Sequence, residues 1–173
     1  MREKLHERLV TREHLLGLRK KWREEGLRVV FTNGVFDLLH VGHVQYLAEA
    51  RNLGDLLILG LNSDTSVQFY KGPKRPLVSQ EDRAKVLLSL RQVDFVTIYD
   101  EYTAEESVRA LQPDIYVKGG DYSLASTIPT DKPFKLLPEE NIVRSYGGTI
   151  HIIPYLSGHS TTALIEKILK VYG

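Results

Sequence analysis

Two histidines three residues apart, His40 and His43, stand where a chain of this kind can handle phosphate. They follow an apolar run (Leu27, Val29, Val30, Phe31) that reads as a short buried strand. The run ends in Thr32-Asn33-Gly34, where Gly34 lets the backbone turn and pass close to a ligand. His40-x-Gly42-His43 comes next, and a helical pattern runs from Val44 through Leu53. A strand, a polar glycine-containing turn and a helix N-terminus form a natural anion site. The free amides and the positive end of the helix dipole face the same point. On the first helical turn the two imidazoles share one side and can reach one phosphate chain. Other routes to phosphate chemistry are closed: there is no G-x-x-x-x-G-K-[ST] loop, and no G-x-G-x-x-G follows the first strand. Nor is there a G-x-S-x-G elbow.

Composition narrows the classes further. The 173 residues suffice for one domain with a real core and are too few for two comfortable ones. A formal net charge of +1 supplies no global field to recruit nucleic acid or a membrane surface, so the expected partners are small molecules. Without cysteine there is no disulfide framework, no thiolate metal site and no cysteine nucleophile. The first residues are charged (Arg2, Glu3, Lys4, Glu7, Arg8) and lack the apolar stretch of a signal peptide. No apolar run reaches the length of a membrane span, and the expected location is the cytoplasm.

The elements that must position the histidines follow from periodicity. Residues 1–26 read as a helical extension that breaks at Thr11, a new N-cap, and stops at Gly26. Arg19-Lys20-Lys21 within it reads as a solvated face. The domain proper covers 27–173. A second buried strand, 55–61, runs into Asn62-Ser63-Asp64; residues 70–78, with Gly72, Pro73 and Pro76, are irregular. Ser79 opens a helix that carries Val86, Leu87 and Leu90 inward and ends near Arg91. A third strand (93–99), a helix (103–111) and a fourth strand (115–118) follow, the last ending in Gly119-Gly120-Asp121-Tyr122. Residues 123–140 form a long loop with three prolines. A short helix (141–146), a fifth strand (149–153) and an amphipathic helix (163–171) complete the chain. Alternating apolar strands and helices specify a Rossmann-like, doubly wound five-stranded parallel sheet with helices on both faces. The polar clusters at 32–43, 62–64, 118–122 and 157–162 all fall after strand ends, which brings them to one crevice.

With these residues in view, the chain resembles the H-x-G-H nucleotidyltransferase superfamily in its cytidylyltransferase-like branch, from about residue 28 to 169. Gly158-His159-Ser160-Thr161-Thr162 is similar to the second signature of that family, G-x-S-T-T at the start of the last helix. Further stretches look like bacterial D-glycero-D-manno-heptose 1-phosphate adenylyltransferases in a stand-alone form. They are Gly54-Asp55, Lys71-Gly72 with Arg75-Pro76, Val117-Lys118-Gly119-Gly120-Asp121-Tyr122 and Tyr146-Gly147-Gly148. Glycerol-3-phosphate cytidylyltransferases are similar in the first and last motifs and differ around Lys118–Tyr122. Tyr155 departs from the arginine that cytidylyltransferases often carry before G-x-S-T-T, which weakens a CTP reading.

The resemblance implies transfer of AMP from ATP to a sugar 1-phosphate, with Mg2+ arriving as the metal complex of the triphosphate, in a homodimer. It implies that His40, His43, Lys71 and Arg83 act on the reacting phosphates. Phe31, Thr32, Asn33, Gly34, Phe36 and Gly42 would line the nucleotide, with Ser160, Thr161 and Thr162 holding the outgoing pyrophosphate. Lys118, Gly119 and Asp121 would sit by the base and ribose. Asp37, Asn62, Asp64, Arg75 and Tyr122 would face the acceptor. Alternatives stay open at this stage. Asp37 could instead cap the first turn, and Lys71, Lys74 and Arg75 could be a solvated basic loop. Asp94 reads as structural. A cytidylyltransferase, a flavin mononucleotide adenylyltransferase and a non-catalytic nucleotide-binding regulator are the competing functions.

Overall fold

In the computed structural model, which describes residues 5–120, 122–124 and 135–173, five parallel strands form the central sheet. These are β1 (Val29–Gly34), β2 (Leu56–Asn62), β3 (Phe95–Tyr99), β4 (Ile115–Gly119) and, last in the chain, β7 (Thr149–Ile153), in the order β3-β2-β1-β4-β7. A two-residue parallel pair, β5 (Tyr122–Ser123) with β6 (Lys135–Leu136), stands beside it. Seven α-helices complete the fold: α1 (Arg12–Glu24), α2 (Val41–Arg51), α3 (Asp64–Lys71), α4 (Gln80–Ser89), α5 (Glu105–Leu111), α6 (Glu140–Ser145) and α7 (Thr161–Tyr172). The doubly wound architecture read from the sequence is the one observed.

Alternation along the strands explains the two layers, since successive side chains point to opposite faces. Val30 and Leu57 pack with Leu47 and Ala50 of α2 and Ala84, Leu87 and Leu88 of α4. Val29, Phe31, Ile58 and Tyr116 pack on the other face with α1, α5 and α6. Two expectations about faces need correction. On α4, Val86 is exposed, and Ala84, Leu87 and Leu88 form the inward stripe at the 3–4 spacing a helix requires, while Leu90, the C-cap, packs partly buried against the same core as expected. Arg19 is buried: it donates to the carbonyls of Leu111 and Gln112 and pairs with Asp114 at 2.9 Å, pinning α1 to the end of α5.

The chain before α1 covers the free edge of β3. Val10 N–H donates to the Val96 carbonyl and Val96 N–H to the Arg8 carbonyl, both at 3.0 Å. This blunts an edge that would otherwise present unpaired amides. Thr11 caps α1 as expected, accepting from the His14 amide. Helix α3 was not anticipated; its N-cap Ser63 accepts from the Ser66 amide and Gly72 closes it at φ +86°.

Candidate active site

The order of the sheet sets the place. From β1 the chain winds outward through β2 to β3, then crosses back to β4 on the opposite side of β1. The reversal lies between β1 and β4, and ligands of open parallel sheets bind outside the carboxyl ends of strands at such a point. Thr32-Asn33-Gly34 and Lys118-Gly119 end those two strands.

The two histidines meet face to face there. His40 is the N-cap of α2 in an extended conformation, and its ring stacks on that of His43 with centroids 3.9 Å apart. The His40 backbone N–H donates to Nδ1 of His43 at 3.4 Å. Nδ1 is thereby an acceptor, so a neutral His43 carries its proton on Nε2. Burial first, and then the neighbouring His40, lower the pKa of His43 to about 4. At neutral pH it is an uncharged N–H donor. His40 is lowered too, by burial and then by His159. Phe36, at φ +48°, sits beside His43 with ring centroids 5.2 Å apart. A residue held in the left-handed region costs of order 1–3 kcal/mol, which the surrounding packing must offset.

Glycine is required inside the motif for a steric reason. A Cβ on Gly42 would lie 3.0 Å from two atoms of the His40 ring and 3.4 Å from the Cβ of His159. The beginning and the end of the chain therefore converge on Gly42. The Thr161 hydroxyl reaches the Leu38 carbonyl at 3.5 Å, docking the start of α7 on the same loop. Ser160 caps α7 by accepting from the Ala163 amide at 3.0 Å, and Thr162 is exposed on the first turn.

Beneath the imidazoles lies a layer of spent polar groups. Arg83 is buried and donates from Nε to the Val78 carbonyl, from Nη1 to the Val35 carbonyl and from Nη2 to Asp64, at 2.9, 2.6 and 2.7 Å. It shapes the β1–α2 loop, and its side chain is closed to phosphate. Asp37 is also buried: it accepts from the amides of Leu77 and Val78 and pairs with Arg75 at 2.8 Å. Both residues fasten the 72–78 segment to the site, and the Asp37 carboxylate is spent on these partners. Asn62 is turned inward and donates to Ser66. Lys71 lies on the exposed last turn of α3. Asp94 is structural, as expected, accepting from Leu57 N–H and pairing with Arg51.

The strand ends are occupied in a similar way. Asn33 donates to the Tyr99 hydroxyl and accepts from the Tyr116 hydroxyl and from Lys118 at 2.8 Å, tying β1 to both neighbours. Lys118 also lies 5.3 Å from the Tyr122 ring centroid. Thr32 is fully buried and its hydroxyl meets that of Tyr46. Tyr46 donates onward to the Val117 carbonyl, so the proton between the two hydroxyls comes from Thr32. Phe31 is wholly within the core, stacked on Tyr116. Gly34 faces the Phe36 ring, which a Cβ there would approach to 2.9 Å. The Gly119-Gly120 pair admits tyrosines: Tyr46 and Tyr155 crowd Gly119, and a Cβ on Gly120 would overlap the Tyr155 ring. Asp121, and residues 125–134 of the long loop expected over 123–140, lie outside the described residues. Among the described residues no group of three His, Asp or Glu is placed to hold a metal, and Asp37 and Asp64 are each paired with an arginine.

Residues 31–167 match the family model described as cytidylyltransferase-like, and this span contains both motifs and every strand but the first two residues of β1. The chain belongs to that family. It is 48% identical over 159 residues to the bifunctional protein HldE of Geobacter sulfurreducens, covering 92% of this chain and 30% of that protein. Its identity to the HldE of Syntrophotalea carbinolica is 49% over 161 residues, covering 93% and 31%. The chain thus spans about a third of the length of the curated relatives it matches. Among solved structures, the lipopolysaccharide core biosynthesis protein of Thermoplasma volcanium is similar with a TM-score of 0.56 and 26% identity. That match covers 75% of this chain and 97% of the other.

For a cytidylyltransferase-like chain, the residues that sequence reasoning passed over are the buried tyrosines. Tyr46, Tyr99 and Tyr116 each extend a hydroxyl to the strand ends of the switch point. Burial raises the pKa of all three, so they remain neutral hydroxyls. Their signal was available only in part: Tyr46 falls one helical turn after His43, on the side that meets the sheet.

Proposed function

We propose that this chain is a nucleotidyltransferase that moves AMP from ATP to heptose 1-phosphate. The products are ADP-heptose for lipopolysaccharide or another surface glycan, and pyrophosphate. A phosphate oxygen of the sugar 1-phosphate attacks the α-phosphorus, and the bond to the bridging oxygen of the β-phosphate breaks. Its electron pair leaves with pyrophosphate. The nucleophile is already an anion, so the protein must mainly position the groups and neutralise charge. Bound magnesium would neutralise part of the triphosphate charge.

The observation that carries this reading is the tautomer of His43. The His40 amide occupies Nδ1, which leaves Nε2–H as a preoriented donor at the switch point, uncharged near pH 7. Such a donor strengthens its contact as charge moves to the leaving oxygen and needs no proton transfer of its own. The hydroxyl of Ser160 and the exposed first turn of α7 supply further donors around the leaving group. The likeness to the lipopolysaccharide core biosynthesis protein of Thermoplasma volcanium supports the glycan setting. The exposed Ile168 and Leu169 of α7 support a homodimer, and we take its working location to be the cytoplasm.

The test is pyrophosphate release with ATP and CTP, each offered against heptose 1-phosphate, glycerol 3-phosphate and flavin mononucleotide. Turnover confined to ATP with the heptose is expected. Turnover with another pair would move the specificity and keep the mechanism. Silence with every pair would overturn the reading.

A further inference from the structure

We infer that His159 is a third imidazole of the phosphate site and that it holds the leaving pyrophosphate as an imidazolium. The inference rests on the nucleotidyltransferase reading above and adds a residue and a protonation state to it. Three observations carry it. The first is proximity: the Cβ of His159 and the ring of His40 flank the same glycine, at 3.4 Å and 3.0 Å from where a Gly42 side chain would begin. The second is the ring's own hydrogen bond. Nδ1 of His159 lies 2.9 Å from the Ser157 carbonyl, and a carbonyl only accepts, so Nδ1 carries a proton. Nε2 is then the remaining polar atom of the ring, with no protein partner among the described residues, and it can donate only when the ring is charged. The third is the rigidity of the mount. The turn is closed by His159 N–H to the Leu156 carbonyl, with Gly158 at φ +76° and Ser160 capping α7 directly after it.

His43 and His159 are therefore complementary. His43 has its proton on Nε2 in the neutral ring, and His159 acquires one there from solvent when an anion arrives. His40 is the titratable group that faces His159 from α2, and its pKa is lowered by burial first and then by His159. A pyrophosphate between them would be held by one neutral donor and one cation. The N-terminal dipole of α7 adds to the same field.

The experiment is nitrogen-15 imidazole NMR on the whole chain, with inorganic pyrophosphate and an α,β-methylene ATP analogue added separately. We expect Nε2 of His159 to move to the charged-ring position on adding pyrophosphate, with the resonances of His40 and His43 shifting as well. By calorimetry, His159→Gln should weaken pyrophosphate binding about tenfold, the scale of one charge-assisted hydrogen bond, with unchanged thermal melting. His159→Lys, which keeps a cation, should recover part of that loss. If His40 and His43 respond while His159 does not, and His159→Gln binds like wild type, the role of His159 is overturned and the transferase reading survives. If none of the three rings responds, both fall together.

Discussion

Two layers of polar residues lie at the carboxyl ends of β1 and β4, and they are built in opposite ways. In the lower layer Arg83, Asp64, Asp37 and Arg75 are charged and paired with one another or with backbone groups. In the upper layer His40, His43 and His159 each keep at least one ring nitrogen without a protein partner among the described residues. The difference follows from the cost of burial. A guanidinium or carboxylate cannot stay unpaired away from water, whereas an imidazole can shed its charge and remain a donor. Charges therefore become scaffold here, and neutral rings keep their chemistry available.

The comparison can be broken most severely from below. Removing Arg83 leaves the Asp64 carboxylate and two inward carbonyls without their donor, and Arg83→Met should cost about 3 kcal/mol of folding stability. Urea unfolding would read this, and a variant as stable as wild type would show that the lower layer is dispensable. His43→Ala should do the reverse, lowering kcat about 10²- to 10³-fold by analogy with the loss of one oxyanion donor. Its unfolding midpoint should stay close to that of wild type; a parallel loss of stability would assign His43 to the scaffold instead. Asp37→Asn retains the shape and removes the charge facing Arg75. A loss of about 1–3 kcal/mol is expected, with the KM for the acceptor rising more than kcat falls, because the 72–78 segment loosens. Tyr46→Phe deletes a single hydroxyl between Thr32 and Val117 and should cost about 1 kcal/mol.

Acid sharpens the same contrast. The pKa of His43 is about 4 in the folded chain against 6.5 for a free imidazole, so the unfolded chain takes up the proton first as pH falls. The stability tied to neutral His43 is fully present above about 6.5 and is lost progressively toward about 4. Melting temperatures of wild type and His43→Gln, close together near neutral pH, should diverge across that window as the solution is acidified, with the wild type falling below the variant. Parallel curves would contradict the buried neutral ring.

Much of this was legible in the residues. The strand-to-helix turn, the His40-x-Gly42-His43 spacing and the second motif at Gly158–Thr162 specified the place, and the sheet order delivered them to one crevice. What could not be read was which polar side chains had already been used. Arg83 and Asp37 look as reactive in the sequence as His43 does, since each is spent partly on a backbone group 40 or 48 positions away in the chain. Arg19 was misplaced for the same reason: a basic triplet on a helix does not reveal that one member reaches the end of another helix. Helix α3 was hidden by the polar run that opens it, although the Ser63 cap and Gly72 are ordinary boundary signals. Gly119 is expected beside the base and ribose, and the space next to it and Gly120 is taken by tyrosine rings contributed by distant segments.

Helix α7 has no buried residue, yet it brings Ser160 and, through the turn before it, His159 to the phosphate site. The sheet and both of its covering layers are complete by Ile153, at the end of β7. The core is therefore complete without α7, and the phosphate contacts proposed for Ser160 and His159 depend on the docking of a helix that buries none of its own residues. Frequent undocking of α7 would make the site intermittent on a permanent frame, and a protease that trims α7 would silence the molecule while leaving its core intact.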